Sequence, residues 1–115
     1  MKRIFLSLPT RNISMPKLIK QCHALGYEAI HEAIALNPNE EVEILDRPTT
    51  PLLNINGENT WVYFIGDVIM KLSSADYAIF AWNWKTSEEC RTEHNIAKGR
   101  GIEILYQNKP TEANT

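Results

Sequence analysis

With 115 residues, the chain is long enough to close one hydrophobic core and too short for two. Its 43% hydrophobic and 23% charged content is that of a soluble globular domain and argues against collagen-like or disordered organisation. A formal charge of -2 offers no basic footprint for a nucleic-acid polymer, although a few backbone N–H groups at a helix end can still hold a small anion.

The two cysteines, Cys22 and Cys90, form no C-x-x-C pair. Reduced thiols in a reducing compartment are the expectation, not a disulfide scaffold. The start MKRIFLSLPT has an apolar run far too short for a signal peptide, and no stretch approaches a membrane span. These features predict a soluble cytoplasmic protein with no membrane partner.

Arg3 to Leu8 is a nearly continuous apolar run, as expected of a central strand buried on both faces. Pro9 to Ser14 follows as a loop, and Ser14 before Met15 and Pro16 is a helix start. Leu18, Cys22, Leu25, Ala29, Ala33 and Leu36 then recur at intervals of three and four. This stripe keeps phase through Gly26, so the spacing predicts one long helix at a local cost of roughly 1 kcal/mol; two helices broken at Gly26 are the alternative.

Asn37, Pro38 and Asn39 stop that helix, and Val42 to Leu45 reads as a short second strand. Asp46 to about Asn59 is a long loop rich in Pro and Asn, of the kind that is often functional. Thr60 caps a second helix, with Trp61, Phe64, Ile65, Val68, Ile69 and Leu72 on its apolar face and Asp67 off it. Tyr77 to Trp82 is the third strand. Thr86 and Glu89 have the spacing of a capping box for a third helix ending near Gly99 or Gly101. Ile102 to Tyr106 is the fourth strand, and the polar tail from residue 107 to 115 is expected to fray.

Strands alternating with helices in this order predict a single α/β domain over residues 1–106, with a four-stranded parallel sheet of order 2-1-3-4 and helices on both faces. The switch point then lies between the first and third strands, so the loops Pro9 to Ser14 and Trp82 to Ser87 are placed to face each other across a crevice.

Glu93 is the sharpest candidate for chemistry. It falls between Cys90 and Ala97 on the side of its helix that should meet the sheet, where a carboxylate is costly unless paired or used. A helix rotated to turn His94 or Ile96 inward would leave Glu93 solvated, and periodicity alone favours that ordinary arrangement. Asp67 is placed either as a site residue or as an exposed helical aspartate, and Asp76 as a turn residue at the amino end of its strand. Ser7 and Arg11, at and beyond the end of the first strand, are candidates for a polar or anionic ligand. Ser87 is either a phosphate ligand or simply a helix cap, and Glu88 and Glu89 beside it would repel a phosphate. Trp82 and Trp84 could stack on a base or be buried in a core or subunit interface. His23, His31 and His94 show no zinc-like spacing, so no metal is expected. The phosphate-binding glycine motifs of dinucleotide and NTP sites are absent, as is a nucleophile elbow. No cofactor is expected.

The runs I-F-L-S-L-P, I-G-D-V-I-M-K-L-S-S-A-D-Y-A-I-F and W-K-T-S-E-E-C-R-T-E-H-N-I-A-K-G-R-G-I resemble the nucleoside 2-deoxyribosyltransferase-like superfamily. The resemblance is to its short members from bacteria and phages, often labelled DUF4406. It extends over nearly the whole chain, and W-x-x-S-x-x-C-R-x-E-H-x-x-A is its most specific part. It implies a flavodoxin-like fold, a small-molecule nucleoside or nucleotide partner, a homo-oligomer, and action on an N-glycosidic bond. By the same resemblance Glu93 is the nucleophile, Asp67 assists base and sugar handling, Ser87 meets a 5′-phosphate, and Ser7, Pro9 and Arg11 belong to the first substrate loop. Relatives usually carry glycine where this chain has Glu89, and full-length enzymes continue with a fifth strand. Capture of a nucleotide without chemistry is the alternative expectation.

Overall fold

The computed structural model describes residues 1–10, 13–45 and 60–109, with residues 60–65 described by backbone alone. Arg11, the expected 46–59 loop, the side chains of Trp61, Phe64 and Ile65, and the tail beyond residue 109 lie outside the described residues.

The elements run β1 (Lys2–Ser7), α1 (Met15–Leu36), β2 (Val42–Ile44), α2 (Thr60–Ser73), β3 (Tyr77–Phe80), a 3₁₀ turn (Trp84–Thr86), α3 (Glu88–Gly99) and β4 (Glu103–Tyr106). The strands form one four-stranded sheet of order β2-β1-β3-β4, and every pairing is parallel. This is the expected topology, a flavodoxin-like α/β sandwich.

Strand alternation divides the core into two layers. Ile4, Leu6 and Leu8 of the first strand region join Tyr77, Ile79 and Ala81 beneath Leu18, Leu25, Ala29 and Ala33 of α1. Phe5, Ala78 and Phe80 point the other way, toward Val68 and Leu72 of α2 and Ala97 of α3. Because β1 feeds both layers, its sequence must be apolar at successive positions, which is why it reads as a continuous run. The cysteines are separated by the same division. Cys22 packs with the α1 layer, Cys90 is buried along α3, and they form no disulfide.

α1 is one helix through Gly26, which is buried against Leu6. Ser14 stands at its N-cap, but its hydroxyl makes no capping bond. β2 stops at Ile44, one residue short of expectation, although the Leu45 N–H still donates to Ile4 O at 2.9 Å. β3 ends at Phe80, two residues before Trp82, because the chain turns there: the Trp84 N–H donates to Ala81 O at 3.0 Å. β4 begins at Glu103, after Gly101 makes the turn out of α3 with φ +73, a conformation that favours glycine.

Gln107, the first residue of the expected tail, is hydrogen-bonded to the end of β3 and the residues after it. Its N–H donates to Phe80 O at 2.9 Å, and its side-chain Oε1 accepts from Trp82 N at 3.2 Å. Among the described residues, no helix is long and apolar enough to cross a membrane.

Candidate functional site at the carboxyl end of the sheet

The register aligns Ser7 with Phe80 and Phe80 with Tyr106. These three residues form a row across the carboxyl ends of β1, β3 and β4, and all three belong to the face covered by α3. Ser7 stands at the switch point, where β1 and β3 are neighbours but their connections diverge to opposite edges. The Ala81 N–H donates to Ser7 O at 2.8 Å, so the segments that continue beyond β1 and β3 begin side by side.

α3 lies over this row. Cys90, Glu93 and Ala97 are its buried residues, at the three- and four-residue spacing of one helical face. Glu93 is 0% exposed, so the arrangement with Glu93 solvated does not occur. The Ser7 hydroxyl donates to Glu93 Oε1 at 2.6 Å, and Ser7 is itself fully buried. A buried carboxyl group demands such a donor. A substrate can reach this carboxyl only if the groups covering it move.

The next residue of α3, His94, turns to the other end of the row. Its Nε2 lies 2.7 Å from the Tyr106 hydroxyl, its ring stacks on Trp84 with centroids 4.1 Å apart, and it meets Phe80 edge-on at 4.9 Å. Burial lowers the His94 pKa below its ordinary value, and the positive charges of Lys98 and Lys85 lower it further. Neither His94 nor Tyr106 stands out in the sequence as a site residue. The signal was present in the adjacency of His94 to Glu93, since consecutive helical residues only 100° apart can both face a sheet.

The amino end of α3 corrects one expectation. Ser87, not Thr86, is the N-cap: the Cys90 N–H donates to Ser87 Oγ at 3.3 Å. Ser87 in turn donates to Glu89 Oε2 at 3.1 Å. Thr86 instead donates to Asn83 O at 2.7 Å within the 3₁₀ turn.

The other candidates separate. Trp84 joins the aromatic cluster just described, while Trp82 is 47% exposed with the Lys109 ammonium 5.5 Å from its ring centroid. Pro9 follows the end of β1 and is half-buried. Asp67, in α2, is joined to Lys71 at 3.8 Å. Asp76 sits before β3 at the opposite, amino end of the sheet, where it accepts from the Arg3 N–H at 2.8 Å, as its sequence position implied. Among the described residues no group of three or more His, Cys, Asp or Glu side chains could hold a metal ion.

Fold and site together define a small parallel α/β protein with a serine-bonded carboxyl group enclosed at its topological switch point. No protein-family model, curated protein or solved structure matches the chain.

Proposed function

We propose that this chain binds a nucleoside or nucleotide at the carboxyl ends of β1 and β3 and cleaves or transfers its N-glycosidic bond, with Glu93 as nucleophile. The observation that supports this most directly is the enclosed Ser7–Glu93 pair, at 2.6 Å, beside the switch point where α/β proteins receive ligands. The motif resemblance around Trp84 to Ala97 points the same way. An apolar side chain would fill that hydrophobic layer at least as well, which marks the buried carboxyl group as the candidate for chemistry.

In this mechanism Glu93 attacks C1′ of the sugar and the bond from C1′ to the base nitrogen breaks. The bonding electron pair leaves with the base, which takes up a proton. Water or a second base then attacks C1′ of the glycosyl ester and returns the carboxylate, as in retaining glycosidases. The Ser7 hydroxyl positions the attacking group. Trp82, which is exposed beyond the end of β3, is the aromatic open to a base, Asp67 takes its assisting role from the motif resemblance alone, and a second copy of the chain completes the pocket. Incubation with nucleosides and nucleoside monophosphates, followed by chromatography, should show released base, and Glu93→Gln should abolish it. Release undiminished in that variant removes Glu93 from the mechanism.

The complete enclosure of Glu93 favours a second reading, in which the ligand is captured without chemistry. Binding then raises the melting temperature, and only intact ligand is recovered after denaturation.

A further inference from the structure

We propose that the outward face of α1 is a self-association surface, on which a second copy of the chain lays its own α1 antiparallel with the two-fold axis at Ala24. α1 covers the face of the sheet opposite to Glu93, so this association does not depend on the chemistry proposed there.

α1 is the one described helix on its face of the sheet, and its outer side is unlike that of a solvated helix. With histidine neutral, none of its exposed positions after Lys20 carries a formal charge, while Tyr27 is 70% and Ile34 48% exposed; a face left to water is ordinarily polar or charged. The charges that α1 does carry are arranged against its own stability. Lys17 and Lys20 lie toward its amino end and Glu28 and Glu32 toward its carboxyl end, with no acid in the first turn and no base in the last, the reverse of what the helix dipole favours. Each of these pairs also sets like charges at three- or four-residue spacing. Among the described residues none of the four forms an ion pair, and Glu28 accepts from the Asn108 N–H and side-chain amide at 3.3 Å.

An antiparallel second copy opposes each of these charges with its complement. Lys20, Ala24 and Glu28 follow one another at four-residue spacing, so they share one strip of the helix surface. With the two-fold at Ala24, Lys20 of each copy faces Glu28 of the other, and Lys17 meets the half of the second helix that carries Glu32. Ala24 has no side chain beyond Cβ, so the helix axes can approach closely where they cross. Tyr27, whose ring lies 4.7 Å from that of His31, reaches over the Lys20 stem of the second copy and withdraws its apolar surface from water. The two helix dipoles run in opposite directions. One self-complementary strip therefore serves both copies, as a closed two-fold interface requires.

The test is sedimentation velocity of the full chain from about 1 μM to 1 mM, at low and high salt, for the wild type, Lys20→Glu, Glu28→Lys, the double variant, and an equimolar mixture of the two single variants. Circular dichroism confirms that each variant is folded; Lys20→Glu sets an acid three residues from Lys17, which favours the isolated helix. The expected result is a wild-type dimer that weakens as salt is added. Each single variant sets two like-charge pairs across the axis and should weaken dimerisation by about tenfold or more. The double variant should recover the wild-type dimer, and the mixture should form a heterodimer, because the introduced charges then face their complements. A wild type that stays monomeric throughout assigns the face to a different partner and overturns the proposal. So does a dimer indifferent to the single variants, or one that neither the double variant nor the mixture restores.

Discussion

Ser7 and Glu93 are 86 positions apart in the chain, yet the Ser7 hydroxyl donates to Glu93 Oε1 at 2.6 Å in the interior. β1 contributes one partner from the end of a central strand, and α3 contributes the other from the helix that crosses to β4. Both groups are removed from water, so each depends on the bond to offset its own desolvation.

This dependence predicts opposite outcomes for breaking the pair and for replacing it. Ser7→Ala leaves the buried carboxyl without its hydroxyl donor and should destabilise the protein by about 1–3 kcal/mol. The double variant Ser7→Ala with Glu93→Leu removes both polar groups and should recover that loss, ending about 1 kcal/mol or more above the wild type. Urea denaturation of the three proteins measures both changes. A double variant less stable than Ser7→Ala would mean that Glu93 is held there for structural reasons.

Gly26 provides a stabilising substitution. It lies inside the continuous helix α1, and a Cβ built there meets only Leu6 Cδ1, at 3.8 Å, which is ordinary contact. Glycine in a helix interior costs roughly 0.5–1 kcal/mol relative to alanine. Gly26→Ala should therefore raise stability by about that amount, read as a higher urea midpoint with an unchanged slope.

His94 predicts a pH dependence whose sign follows from its environment. Burial, Lys98 and Lys85 lower its pKa in the folded chain below the ordinary value of 6.5. The neighbouring Tyr106, Trp84 and Phe80 bring no negative charge to reverse this near neutrality. Between the folded and unfolded values the unfolded chain binds more protons, so stability falls as pH drops through that interval and levels off below the folded value. Melting temperatures measured from about pH 7.5 to 5.5 should fall more in the wild type than in His94→Gln. Parallel profiles would show that His94 does not titrate against its surroundings.

The sheet order was legible because each strand is an apolar run and each helix carries an apolar stripe, and right-handed crossovers leave few arrangements. The ends of the elements were less legible. Trp82 extends the apolar run of β3 by composition, yet the chain has already turned at Ala81, a backbone event that hydrophobicity does not encode. Glu93 could be singled out, but its burial could not be decided, because the phase of a short helix with charges on several faces fits more than one rotation. Contact with Ser7 settles that phase. The His94–Tyr106 pairing depends on strand register, which places Tyr106 beside Phe80, and no local pattern in β4 announces it.

The amino end of α3 separates two hydroxyls that the sequence makes nearly equivalent. Thr86 has the capping-box spacing to Glu89, but Ser87 adopts the extended N-cap conformation, with φ -111 and ψ 128, and accepts from Cys90 N. Ser87 is also nearly enclosed, at 9% exposure, so water cannot readily replace its oxygen. Loss of an N-cap hydroxyl typically costs about 1 kcal/mol, within a range of about 0.5–2 kcal/mol, and Ser87→Ala should fall within it. Thr86→Ala removes only an exposed bond to Asn83 O and should stay within about 0.5 kcal/mol of the wild type. Denaturation of the two variants side by side checks the assignment: a larger loss for Thr86→Ala would return the cap to Thr86, and with it the capping box to Glu89.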